Sequence, residues 1–241
     1  MHQSYSQATH RVIAMDMRGY NESSKPAGID AYSMDNLVGD IRCLVEALDV
    51  KKFTLVAHDW GGAVAWCFAA LHPEMLDNLI ILNLPHIVAL AEQRKKGWEQ
   101  ALKSWYIIFF QCPVLPELNL LSEDMRVFSR LFNKLKPIAD EETLEAYKYA
   151  FKDYESWNRP LNYYRMFATE KFANFMDTNR DKFKISVRTL QIFGTADTAL
   201  SVTAAKEGQA YLTNGRLELL EGVSHWVQEE EPERSDCCSW S

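Results

Sequence analysis

Phe53-Thr54-Leu55-Val56-Ala57-His58-Asp59-Trp60-Gly61-Gly62-Ala63 is the stretch that decides how this chain folds. An apolar run from Phe53 to Ala57 meets a turn of small residues, and an apolar segment from about Gly61 to Leu71 follows. The pattern predicts a buried strand, a sharp bend and a helix. In such a bend the apex residue projects above the sheet, and its neighbours must be small enough for strand and helix to approach each other. Ala57, Gly61 and Gly62 meet that demand, and the apex is Asp59. A serine there would have to lose a proton before attacking. A carboxylate attacks carbon directly and forms an ester, which moves the chemistry away from acyl transfer.

Working outward, Arg11-Val12-Ile13-Ala14-Met15-Asp16 reads as a short buried strand, followed by a polar loop from Met17 to Ser24. Met34, Leu37, Val38, Ile41, Leu44, Val45 and Leu48 recur at helical spacing, with Ser33 placed to cap the start. A further apolar strand is expected at Leu79–Leu84. Strand, helix, strand, helix, strand implies an α/β fold with a mostly parallel sheet. From about Ile87 to Lys184 aromatic and charged residues recur at helical intervals, which predicts a helical cap inserted into the sheet domain. Strand patterns return at Val187–Phe193 and near Arg216–Leu220. The expected organisation is therefore a core in two parts, residues 1–86 and 185–241, with a cap at 87–184.

With 241 residues, 47% of them hydrophobic, the chain has material for a sizeable core. A net charge of -7 offers no basic stripe for a phosphate backbone, so nucleic acid is not an expected partner. The five cysteines, Cys43, Cys67, Cys112, Cys237 and Cys238, show no metal-ligand or redox spacing, which points to a reducing compartment. The apolar run Ala63–Leu71 falls well short of the roughly 20 residues that span a bilayer, and residues 1–20 hold no apolar signal core. A cytoplasmic chain without a membrane segment is the expectation.

Asp59 after one strand, Asp197 in Gly194-Thr195-Ala196-Asp197 after a later one, and His225 in Ser224-His225-Trp226 after the last follow the order nucleophile, acid, base. Taken singly, each has a plain explanation: an aspartate before a helix caps it, one after glycine forms a turn, and a lone histidine is usually incidental. Their joint order with the bend argues for a catalytic triad.

The chain resembles the α/β-hydrolase-fold epoxide hydrolases, particularly the epoxide hydrolase 4-like branch. The likeness runs through Asp16-Met17-Arg18-Gly19-Tyr20, His58-Asp59-Trp60-Gly61-Gly62, Asn83-Leu84-Pro85-His86, Leu161-Asn162-Tyr163-Tyr164-Arg165, Phe193-Gly194-Thr195-Ala196-Asp197 and Ser224-His225-Trp226. It covers about residues 10–234. The resemblance implies Asp59 as nucleophile, His225 as activator of the hydrolytic water and Asp197 as its orienting partner. Two cap tyrosines are implied as proton donors to the ring oxygen: Tyr106 in Trp105-Tyr106-Ile107-Ile108-Phe109-Phe110-Gln111, and Tyr164. Composition alone assigns them to core packing and does not single them out from Tyr147, Tyr149, Tyr154 or Tyr163. Trp60 fits a pocket wall, and its backbone N–H fits an oxyanion donor. The implied substrate is a small apolar epoxide, lipid or aromatic, that takes up water to give a vicinal diol with no cofactor and no metal.

Members of this branch carry further strands, an oxyanion loop and a membrane anchor ahead of the Arg11 strand, with the branch placed at the endoplasmic reticulum. Set against that resemblance, the present sequence is expected to open beyond them, and its tail, Ser235 to Ser241, is not expected to continue as an amphipathic terminal helix. The expectation is a hydrolase scaffold lacking its N-terminal strands and C-terminal helix, with impaired activity. Haloalkane dehalogenation shares the Asp-Trp bend but needs N–H donors for halide, and a non-catalytic binding remnant is the alternative of another class.

Overall fold

The computed structural model describes residues 10–96, 105–134 and 140–237. Its frame is a 4-stranded, wholly parallel sheet in the order β1-β2-β3-β4, with β1 at Phe53–His58, β2 at Leu76–Leu82, β3 at Thr189–Gly194 and β4 at Gly215–Leu220. The helix α1, Met34–Ala47, precedes β1, and α2, Asp59–Leu71, joins β1 to β2. Residues Gly62 to Ala70 of α2 are buried on every side, as a helix with no polar face requires.

Alternation along the strands sorts side chains to two faces. Leu79 and Ile81 point with Phe193 into the larger core, which α1 and α2 complete through Leu37, Ile41, Val64, Trp66 and Phe68. Leu82, Leu190, Ile192 and Leu220 meet Val223 and Val227 on the other face. There the chain turns through two short helices, α10 at Val227–Glu230 and α11 at Pro232–Cys237. Cys238 and the rest of the tail lie outside the described residues.

Between β2 and β3 the described residues form α3, Ile87–Lys96, α4, Trp105–Phe109, α5, Leu115–Lys134, α6, Glu141–Ala150, α7, Tyr154–Phe167, and α8, Glu170–Thr178. The α5 helix is broken at Ser122–Met125, where Glu123, Asp124 and Met125 take positive φ. Asp140, Asp153 and Thr169 cap α6, α7 and α8 by accepting from Thr143, Ser156 and Phe172 N–H groups. This segment has a cluster of its own, Leu120, Phe128, Trp157 and Leu161. It is tied to the loop ahead of α1 through α7, whose Tyr163 hydroxyl donates to the Arg18 carbonyl at 2.7 Å. After β3, α9 spans Val202–Gly208.

Three expectations fail. Arg11–Asp16 is not a strand: it is not paired with β1 or any other described strand, and Val12, Ile13 and Met15 are exposed. An apolar run becomes a strand only where a partner takes its backbone groups. Ser33 stands at the N-cap of α1, yet it makes no side-chain cap bond. Small neighbours at the bend matter unequally. A Cβ on Gly62 would come 3.1 Å from Leu84 Cβ, whereas one on Gly61 would find ordinary contact distances. Among the described residues, no helix is long and apolar enough to cross a membrane.

Candidate active site

The register pairs His58 with Leu82, Leu82 with Ile192 and Gly194 with Leu220, so the strands end nearly level. Their C-terminal ends deliver Asp59, Asn83, Asp197 and His225 to one edge, where ligands gather in parallel α/β sheets. Asp59 has φ 49°, the left-handed conformation that a sharp strand-to-helix bend imposes.

His225 bridges the two aspartates. Its Nδ1 donates to Asp197 Oδ2 at 2.8 Å, and its Nε2 lies 3.2 Å from Asp59 Oδ1. Asp197 is fully engaged. Its Oδ1 accepts from the Ala199 and Leu200 N–H groups at 2.7 and 3.0 Å, and its Oδ2 also accepts from Asn83 Nδ2 at 2.8 Å. Burial pushes the Asp197 pKa up, but the His225 bond and charge outweigh it and hold the group below the usual range. The same contest, burial against His225, leaves Asp59 lowered, with the Trp60 N–H donating to its carboxylate as a further cause. For His225 burial favours the neutral ring, yet the two carboxylates raise its pKa to about 10. The resting site is an imidazolium between two carboxylates.

Glycine and asparagine set the approach of the loops. A Cβ on Gly194 would lie 2.2 Å from Ser224 O and 2.4 Å from Val223 O, so only glycine lets the His225 loop lie against the end of β3. Asn83, at φ 42°, donates to Ser224 O at 3.2 Å and accepts from the Gly194 N–H at 3.1 Å. Ser224 also gives its N–H to Glu230 Oε2 at 3.0 Å and its hydroxyl to Glu230 Oε1.

Above this edge sits an aromatic wall. Trp60 meets Tyr164 edge to face at 4.8 Å between ring centroids, and Phe167 at 5.9 Å. Tyr106 meets Tyr164 at 6.0 Å, and Phe110 meets Tyr164 at 4.9 Å. Burial and then the Asp59 charge push the Tyr106 phenol up to about 12 and the Tyr164 phenol well above its ordinary value. Both phenols therefore feel the Asp59 carboxylate. All six residues singled out from the sequence, Asp59, Trp60, Tyr106, Tyr164, Asp197 and His225, fall in this one region.

Sequence reasoning assigned no role to three neighbours. His58 donates through Nε2 to the His225 carbonyl at 2.9 Å, and burial followed by the His225 charge lowers its pKa. Asn83, which nothing in its own stretch of sequence marks, joins Asp197, the Gly194 N–H and the Ser224 carbonyl through its side-chain amide. Arg94 lies 4.8 Å from the Phe167 ring and pulls the Tyr106 pKa down against burial and Asp59. Among the described residues no cluster of His, Cys, Asp or Glu could hold a metal ion.

The family model for the alpha/beta hydrolase fold matches residues 3–232. The chain is 40% identical over 232 residues to Epoxide hydrolase 1 of Caenorhabditis elegans, covering 93% of this chain and 56% of that protein. It is 33% identical over 241 residues to Epoxide hydrolase 4 of Homo sapiens, covering 96% of this chain and 64% of that protein. The present sequence thus spans less than two thirds of either relative. Among solved structures, an epoxide hydrolase of Bacillus megaterium superposes with a TM-score of 0.78 at 27% identity, covering 93% of this chain and 81% of that one.

Proposed function

The chain belongs to the alpha/beta hydrolase fold family, and on that footing we propose that it hydrolyses apolar epoxides, lipid or aromatic, to vicinal diols through an ester on Asp59. The observation that carries this reading is a carboxylate at the apex of the sharp bend beside two half-buried tyrosines, Tyr164 edge to face with Trp60 at 4.8 Å and Tyr106 at 6.0 Å from Tyr164. The relatives named epoxide hydrolase support it.

In the first step an Asp59 oxygen attacks a ring carbon, the carbon–oxygen bond of the ring breaks, and the alkoxide takes a proton from Tyr106 or Tyr164. The charge balance favours the order of events. As Asp59 becomes a neutral ester, the field that held the phenols' pKa up disappears just as the alkoxide needs its proton. His225 loses the same partner, so its pKa falls and its proton can restore the phenol. The free imidazole then takes a proton from water, and the hydroxide attacks the ester carbonyl. The Trp60 N–H, which donates to the resting carboxylate, meets the developing oxyanion. Collapse breaks the bond from the carbonyl carbon to the alcohol oxygen, which takes the proton of the added hydroxyl, so the diol leaves and the Asp59 carboxylate returns beside a protonated His225. Asp197 keeps the ring oriented and compensates its charge throughout. The sheet edge supplies attack and hydrolysis, and helices α4 and α7 act as the cap that supplies the acid.

Halide release needs N–H donors at the leaving group; here the Trp60 indole N–H is given to the Tyr164 oxygen, and the groups of the helical segment that can give up a proton are phenols. The deciding experiment is peptide mass spectrometry on a His225→Gln variant incubated with styrene oxide. The expected result is an adduct of the epoxide's mass on the Asp59 peptide, absent from Asp59→Ala. A folded His225→Gln variant that carries no adduct, or carries it on another residue, would sink the proposal.

A further inference from the structure

We propose that Arg165 is a positioning residue that sets the separation of the two phenols, an inference that rests on the epoxide-opening activity proposed above. Arg165 follows Tyr164 in α7, but its guanidinium turns to the neighbouring chain. Nε donates to Phe110 O at 3.0 Å and Nη2 to Cys112 O at 3.0 Å. Nη1 pairs with Glu117 Oε1 at 2.8 Å, and the Glu117 side chain is 0% exposed. Asn158, two turns back along α7, donates to the same Glu117 oxygen at 2.6 Å. Phe110 and Cys112 directly follow α4, the helix that carries Tyr106, and the Phe110 N–H donates to Tyr106 O at 2.9 Å.

A five-residue helix cannot hold itself together in water, and α4 buries none of its residues. Its position must come from outside, and the hydrogen bonds described from the residues that follow it, Phe110 to Cys112, to other elements converge on α7. Besides Arg165, Gln111 Nε2 donates to Tyr164 O at 3.1 Å. The planar fork of an arginine reaches three acceptors at once in fixed geometry, which a lysine cannot do. Glu117 anchors the fork from the start of α5. Its carboxylate keeps one buried oxygen without a partner, so the ion pair with Arg165 is what balances its charge. The clamp thus joins the segment bearing one proton donor to the helix bearing the other, and touches neither Asp59 nor His225.

That separation defines the test. Asp59 ester formation needs the phenols, whereas hydrolysis of the ester, once His225 has given up its proton, needs only the sheet-edge groups. In single-turnover kinetics with styrene oxide, Arg165→Lys is expected to slow ester formation about tenfold to a hundredfold while the ester decays at the wild-type rate. The loss should shrink with para-nitrostyrene oxide, whose alkoxide needs less help from an acid. Should Arg165→Lys fail to fold, Gln111→Ala, which leaves the ion pair whole, is expected to slow ester formation severalfold with the same selectivity. Ester formation at the wild-type rate in the folded variant, or an equal loss in both steps, overturns the clamp. Absence of an ester in the wild-type protein overturns the proposed activity instead, so the two failures are told apart.

Discussion

At the scale of residues the site is a chain of charges. His225 holds its proton more tightly in the folded protein than in the unfolded chain, with a pKa of about 10 against an ordinary 6.5. The stabilisation it gives is therefore complete below a pH of about 6.5 and is lost as pH rises through about 10. Asp59 and Asp197 run the opposite way. Their pKa values are depressed below the ordinary 3.8, so their contribution is present above that value and is lost only as pH falls through the lowered ones. The melting temperature should accordingly fall between about pH 7 and pH 10, and His225→Gln should flatten that part of the profile. Parallel wild-type and variant profiles across this window would remove His225 as the source. Asp59, Asp197 and His225 were legible because each follows a strand pattern and stands in a recognisable turn. His58 and Asn83 were not. Their partners lie 167 and 114 residues away along the chain, and only the level ends of the strands bring them together.

At the scale of elements, strands with a partner on each side were the easiest to read. β3, buried at all its positions, showed as a largely apolar stretch whose polar members, Thr189 and Gln191, are both satisfied: the Thr189 hydroxyl donates to the Val187 carbonyl, and the Gln191 amide is spent on the Leu84 carbonyl and on Gln209. Arg11–Asp16 has the same kind of composition and forms no strand, since pairing is a property of two segments and a pattern belongs to one. Turn glycines divide in the same way. The glycine of Gly194-Thr195-Ala196-Asp197 looks like an ordinary turn residue in sequence, yet the structure makes it the seat on which the His225 loop rests. A methyl group there meets two backbone carbonyls, which cannot rotate away as a side chain could. Gly194→Ala is expected to cost about 1–3 kcal/mol in urea denaturation and to lift His225 from its partners. Decay of the Asp59 ester should slow far more than its formation. A Gly194→Ala protein of wild-type stability and turnover would show that the loop has another place to rest.

At the scale of the whole molecule the proposed chemistry is divided between two layers of different origin. The parallel sheet and its flanking helices present Asp59, Trp60, Asp197 and His225 along one edge, and the helical segment between β2 and β3 brings Tyr164 against Trp60 and Tyr106 against Tyr164. The sheet layer was legible because its pattern, strand and then bend and then helix, is local. The layout of the helical segment was not. Its phenols are indistinguishable by composition from other tyrosines, and their convergence depends on how α4, α5 and α7 pack. Tyr163 illustrates the point: adjacent to Tyr164, it turns to the core and donates to the Arg18 carbonyl. Two layers predict two separable steps. Tyr106→Phe and Tyr164→Phe should each slow ester formation about tenfold to a hundredfold, because the remaining phenol still reaches the ring oxygen, and the double variant should form the ester slower than either by a similar factor again. None of the three should alter the decay of an ester once made, which stopped-flow tryptophan fluorescence can follow beside Trp60. Slowed decay in the Tyr variants would mean that the phenols serve hydrolysis as well, and the division of labour between sheet edge and helical segment would fall.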